Sequence, residues 1–448
     1  MEKNRLLHDN LGSLFIAFVL PTVMAELLAG IQSIIDGMFI GNYVSANAMS
    51  SINIASPFIQ MIFGCAMVVS TGAVSYLGRV IGQKDYQKAE NVFKSALIGL
   101  TTMLIIIEIC GLIFAKEIAL FLGANEALLR DSIIYIRVFM LFAPFVGLMN
   151  FFGFVDRILD KPKNYLYATI TCLITNIVAD YLAVKVLGLG VAGAAFATGL
   201  AFFNGCFIVI QPLLDHKSIF NIHKGKFNIQ LFKELSINGS SEGIGYLSTA
   251  ITIFLFNTAF MHFVGEEGIA AFTIVSYIGN FTALIMFGIS DGIVSIASCN
   301  FGAKQYDRVR KTFYLAAMLN FMFGLICFAI LHNFSYEIIS IFLKDNPTVV
   351  NIAVAGSFYY ALSFLFVGFN ILQSGFNTAV GNAYSSLLIS GCRGIVFNFI
   401  GISIFPRILK LTGVWLTFPF AEISTALVCI IIMLLKHKLY FGFKSEKC

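Results

Sequence analysis

Apolar runs of about twenty residues, roughly twelve of them, follow one another along the 448-residue chain, separated by Gly, Pro or charged loops. No other feature limits the fold so strongly. A run of that length crosses a bilayer as a helix, and in hydrocarbon the helix satisfies its own backbone hydrogen bonds. The runs fall near 11–40, 48–79, 91–115, 131–155, 164–186, 191–213, 234–262, 268–299, 312–333, 351–378, 384–406 and 412–435. Composition agrees: 58% of residues are hydrophobic and 12% charged, far from the soluble globular norm. The charged start "MEKNRLLHDNLGSLFIAFVLP" leads into an apolar stretch too long for a signal-peptide core, and no small-residue cleavage site follows. It reads as the first span. The expected class is an all-α membrane protein with twelve transmembrane helices.

Charge reports topology. The formal net charge of +5 comes from basic residues spread through short loops, so no nucleic-acid partner is implied. The termini and even-numbered connections hold 21 Lys and Arg against six in the odd ones. By the positive-inside rule both termini face the cytoplasm of a cell (inner or plasma) membrane. The tenth and eleventh connections taken alone run the other way. Nine scattered cysteines lack CxxC spacing and read as reduced packing residues. The six histidines lie near helix ends or loops, and HExxH, GxSxG and GxGD are absent. An intramembrane enzyme therefore has no catalytic set to work with, and no cofactor is expected.

The chain also repeats itself. "STGAVSYLGRVIGQKDYQKAENVF" from Ser70 aligns without gaps on "SDGIVSIASCNFGAKQYDRVRKTF" from Ser290, an offset of 220 with eight identities that include Gly72/Gly292, Gly82/Gly302 and Lys84/Lys304. Six spans per half place both copies in the same orientation, a parallel repeat about the membrane normal. The expected organisation is a lobe at 1–213, a basic linker at 214–233 and a second lobe at 234–448. Two pseudo-symmetric six-helix lobes around a central cavity suit alternating access.

Charged residues inside the runs need a reason, since each costs about 2.5 to 3.5 kcal/mol at the bilayer centre on insertion scales. "AELLAGIQSIIDGMFIG" carries Glu26 and Asp36. Either residue faces a cavity, or it snorkels or accepts a structural hydrogen bond. "YLYATITCLITNIVADYLAV" sets Asn176 and Asp180 four apart on one helix face, where an amide oxygen and a carboxylate can share one cation or proton. The small-residue run "GLGVAGAAFATG" follows, allowing close helix packing and ending near Thr198. The Thr198 hydroxyl either joins a site or satisfies a helix carbonyl.

These stretches resemble the multidrug and toxic compound extrusion (MATE) transporters, in particular their prokaryotic damage-inducible-type and staphylococcal-type branches. The resemblance rests on Pro21 fifteen residues before Asp36 and "GMFIG", on "GRVIGQKDYQKA", on "NIVADYLAV...GLGVAGAAFATG" and on the echo "SDGIVSIASCNFGAKQY". It implies a cation site, for H⁺ or Na⁺, at Asp36, Asn176, Asp180 and Thr198, and a helix-1 bend at Pro21. Two carboxylates close together in a low-dielectric cavity cannot comfortably both stay ionised, so such a pair takes up a proton. With an amide and a hydroxyl oxygen added, the set also suits a small hard cation. The second lobe departs from the pattern: Asn398 stands at offset 222 from Asn176, but Ile402 replaces the acid. Glu242, Asp291 and Glu422, with Arg393 as a partner for one of them, are candidates for the central cavity together with Glu26.

Away from the ends of the runs, seven acids stand against two arginines, Arg137 and Arg393, which favours a cationic cargo. Forty-seven Phe and 14 Met offer adaptable apolar surface. The expected function is efflux of lipophilic organic cations in exchange for H⁺ or Na⁺, by one chain acting alone in the bilayer. A lipid-linked oligosaccharide flippase is the alternative. It would need a cationic cavity for pyrophosphate.

Overall fold

The computed structural model describes residues 5–215, 218–342 and 346–436. Lys3, His216, Lys217, Lys344 and the basic tail after Lys436 lie outside them. Among the described residues every regular element is helical. The first lobe holds α1 (Leu11–Tyr43), α2 (Ala46–Gly82), α3 (Tyr86–Ile113), α4 (Glu126–Met140 with Ala143–Ile158), α5 (Lys163–Asp180) and α6 (Gly190–Leu214). The second holds α7 (Ile229–Val264), α8 (Glu266–Gly302), α9 (Tyr306–Asn333) and α10 (Pro347–Ala379). It closes with the continuous stretch Ala383–Leu435. The two parts of α4 meet at 48° and are together long and apolar enough to count as one span. The backbone of Ala383–Leu435 breaks at Lys410 (φ 51, ψ −129), which separates α11 from α12. Twelve spans in two lobes result. α7 opens at Ile229, inside the stretch read from sequence as linker.

Two helices carry wide π turns beside polar residues. One, Tyr181–Val186, continues α5 directly after Asp180. The other, Cys392–Val396, interrupts α11 and contains Arg393. A π turn widens the backbone and leaves carbonyls poorly served, and such turns are frequent at functional sites. α1 runs as helix through Pro21, which can give no backbone N–H to the preceding turn. Thr22 Oγ1 donates to Phe18 O there at 2.8 Å.

The lobes meet at the membrane face that carries the described N-terminal residues, and the repeat governs how. A Cβ added at Gly82 would strike Cys299 O, and one added at Gly302 would strike Arg79 O. These contacts are reciprocal, since Arg79 and Cys299 are themselves 220 residues apart. Gly239 against Val68 O and Gly292 against Val19 extend the backbone-to-backbone seam. A polar latch reinforces it: Ser75 Oγ donates to Thr378 O at 2.6 Å, and Asn238 Nδ2 donates to Ser75 Oγ at 2.7 Å. Arg79 Nη1 donates to Ala379 O at 3.0 Å. The turn after each seam helix places a lysine in the left-handed region, Lys84 at φ 64 and Lys304 at φ 59. In the second lobe an aromatic cluster, with Phe256 4.0 Å from Phe418 and Phe260 4.7 Å from Trp415 between ring centres, supplies a separate core.

Candidate functional site

α1, α5 and α6 converge on one group of oxygens. Asn176 and Asp180 are buried (0% and 1% exposed), stacked one turn apart on α5. Asp36 of α1 interacts with Asp180, Asn176 and Thr198. Within this group Asp36 Oδ1, both Asp180 carboxylate oxygens and both polar atoms of the Asn176 amide are buried without a hydrogen bond of proper geometry. Buried polar atoms are normally satisfied, and each failure costs about 1–3 kcal/mol. Acceptors outnumber donors here. Thr198 Oγ1 gives its proton to Ala194 O at 3.0 Å, so toward Asp36 it offers only its lone pairs. The reading of that threonine as satisfying a helix carbonyl is the one this bond shows. Tyr135 of α4, buried and within electrostatic reach of both carboxylates, was not singled out in the sequence; one tyrosine among 16 carries no signal.

The donor set fits a proton or a monovalent hard cation: oxygens from Asp36, Asp180, Asn176 and Thr198 could surround either, and a shared proton would also bridge the two carboxylates. Among the described residues no group of three or more His, Cys, Asp or Glu is placed to hold a metal ion, so a transition-metal centre gains no support.

A cavity of ≈ 430 Å³ lies within the second lobe and is bordered from the first by Glu26 and Met67; Glu242, Asp291, Arg393 and Glu422 also line it. Glu242 and Asp291 lie about 20 Å and about 16 Å along their helices from the N-terminal face, at 1.5 Å per residue, and so near mid-membrane. Arg393 Nε pairs with Glu422 Oε1 at 2.9 Å. Asn370 Nδ2 donates to Glu422 Oε2 at 2.6 Å. Asn398 spends its amide on the π turn, donating to Arg393 O at 2.9 Å and Gly394 O at 3.3 Å. It thereby fixes the backbone that carries the arginine. Tyr246, Tyr360, Phe272 and Phe418 supply aromatic wall. Glu108 belongs to neither group.

One residue must be moved from where the sequence put it. Arg157, read as a residue of the fourth connection, is 1% exposed at the end of α4. Its Nη1 donates to Asp291 O at 3.4 Å across the lobes, and its charge reaches Glu26. Its guanidinium carbon lies 4.3 Å from the Phe154 ring centre and 5.2 Å from that of Tyr165, cation–π distances. Nε and Nη2 are buried without partners. The positive-inside rule hid this residue, because it counts any basic residue near a helix end as loop.

Comparison with known proteins places the geometry in context. The family model described as MatE matches residues 21–182 and 244–403, one match in each lobe. The multidrug export protein MepA of Staphylococcus aureus is 24% identical over 420 residues, covering 93% of this chain and 92% of its own length. A crystal structure of MATE in the straight conformation superposes with TM-score 0.92 at 20% identity, over 98% of this chain and 99% of that one. One in the bent conformation superposes with TM-score 0.91 at 20% identity, over 98% of each chain.

Proposed function

The chain belongs to the MatE family, and from that premise we propose that it is a multidrug efflux transporter that expels lipophilic organic cations in exchange for H⁺ or Na⁺ by alternating access. The observation that carries this reading is the unsatisfied oxygen set at Asp36, Asn176 and Asp180, joined through α1 to the central cavity. Asp36 and Glu26 share α1 ten residues apart, about 15 Å along the axis. A cation or proton at Asp36 relieves the repulsion between the Asp36 and Asp180 carboxylates and so changes how α1 packs on α5, and movement of α1 carries Glu26 with it. Pro21 is the point at which α1 can bend, because the bond that would stiffen that turn is missing. The two sites are therefore coupled through the stretch of α1 from Glu26 to Asp36, which lies on one side of that bend.

The cavity supports cationic cargo. Glu26, Glu242 and Asp291 face it as a group, with Arg157 behind them, while Arg393 is already paired with Glu422. Acids in excess attract organic cations, and the aromatic wall holds planar apolar bodies. A pyrophosphate-linked cargo would meet net negative charge, which disfavours a flippase. We place both termini on the cytoplasmic side and take one chain as the functional unit.

The test is ethidium movement in proteoliposomes under an imposed pH gradient and, separately, a Na⁺ gradient. Uphill movement under one gradient names the coupling ion, and Asp36→Asn and Asp180→Asn should each reduce it to background while the protein stays folded. Full activity in either variant would sink the mechanism.

A further inference from the structure

The repeat is broken at one place on the N-terminal face. In the first half, the chain leading into α7 fills the crevice beside α3. Phe220 is buried there and stacks on Phe93 with ring centres 5.5 Å apart. Lys226 N donates to Asn91 Oδ1 at 2.8 Å, Asn228 N to Ser95 Oγ at 2.9 Å and Lys94 Nζ to Ile222 O at 2.6 Å. In the second half, the chain leading into α1 crosses the matching crevice beside α9 and, among the described residues, leaves an open groove of ≈ 730 Å³. At the offset of 220, Lys311 stands where the first half has Asn91, and Tyr314 where it has Lys94.

The lining has the chemistry of a membrane surface. Arg308, Lys311 and His8 make a basic rim, and Tyr314, Leu315 and Met318 continue along α9 as an apolar wall. Those three are exposed on the outside of the helix bundle, where the bilayer lies. Arg308 is held in place: Nε donates to Asn300 Oδ1 at 2.8 Å, Nη1 to Asp9 O at 3.0 Å and Nη2 to Leu6 O at 3.2 Å. All three acceptors are neutral, and two of its five N–H donors remain for a ligand. The one acid among the described lining residues, Asp9, is engaged by Arg5 Nε at 2.8 Å. Lys311 is exposed.

We propose that this crevice binds an anionic phospholipid, its phosphodiester between Arg308 and Lys311 and one acyl chain along Tyr314, Leu315 and Met318. Basic pockets between spanning helices at a membrane face recognise anionic headgroups in this way. A free phosphate would satisfy the rim and leave the wall unused. The bound lipid would also steady the N-terminal segment, which Arg308 holds through the Leu6 and Asp9 carbonyls and whose Arg5 reaches Asp160 of the first lobe at 3.1 Å. The site thus sits on a tie between the lobes.

Native mass spectrometry of the full-length purified protein with phosphatidylglycerol or phosphatidylcholine tests the assignment, with inorganic phosphate added as competitor. Phosphatidylglycerol should be retained over phosphatidylcholine. Lys311→Gln, an exposed substitution that leaves the packing untouched, should lower retention about five-fold. Tyr314→Ala should lower it through the wall alone, and Lys233→Gln, elsewhere on the same face, should not change it. Equal retention of the two lipids, wild-type retention by Lys311→Gln, or displacement of the lipid by inorganic phosphate would each overturn the proposal.

Discussion

At the residue scale, the polar groups of this protein divide by whether their needs are met. Glu422 is met: Arg393 holds one oxygen and Asn370 the other. Removing the arginine leaves that carboxylate with one neutral donor in a partly desolvated cavity. Breaking a fully buried pair costs about 3–5 kcal/mol. These side chains keep 26% and 12% exposure, so Arg393→Gln should cost about 1–3 kcal/mol, and Arg393→Gln with Glu422→Gln should recover most of it. Thermal unfolding of both variants in detergent checks this. Asp36, Asn176 and Asp180 are unmet, and that is why they were legible in the sequence: a carboxylate in an apolar run has few structural excuses, and a spacing of four on a helix declares a shared face. Arg157 and Tyr135 were not legible. One sits at the edge of a loop, and the other is chemically ordinary until the fold brings it within electrostatic reach of two carboxylates.

At the element scale, α1 is the helix on which the proposed mechanism turns, since it carries Pro21, Glu26 and Asp36 together. Pro21→Ala would restore an N–H that can bond to the preceding turn, removing a defect of about 3 kcal/mol in helix stiffness. The variant should fold at least as well as the native chain and bind ethidium in detergent, yet transport at least several-fold more slowly in proteoliposomes. Unchanged transport would take the bend out of the cycle. Span positions were readable to within a few residues because bilayer thickness sets the length of the apolar runs. The π turns were not. They depend on how side chains such as Asn398 serve the freed carbonyls, and residue type alone does not encode that.

At the scale of the whole molecule, orientation is the first thing to establish, and the chain carries its own probe. With both termini in the cytoplasm, Cys448 should react with a membrane-impermeant maleimide in inverted vesicles and stay unlabelled in intact cells; the reverse pattern would turn the topology over. The two-lobe design was visible in the repeat, but the use the repeat is put to was not, because reciprocity between Gly82 and Gly302 exists only once the lobes face each other. That seam has a consequence for how such a protein can change. Its closure is written largely in main-chain atoms, whereas the cavity of ≈ 430 Å³ is written in side chains. With the cavity as the proposed cargo site, substitutions that widen or shift the range of drugs accepted would accumulate around it without rebuilding the machinery of opening and closing, and selection for resistance would act on the one while leaving the other intact.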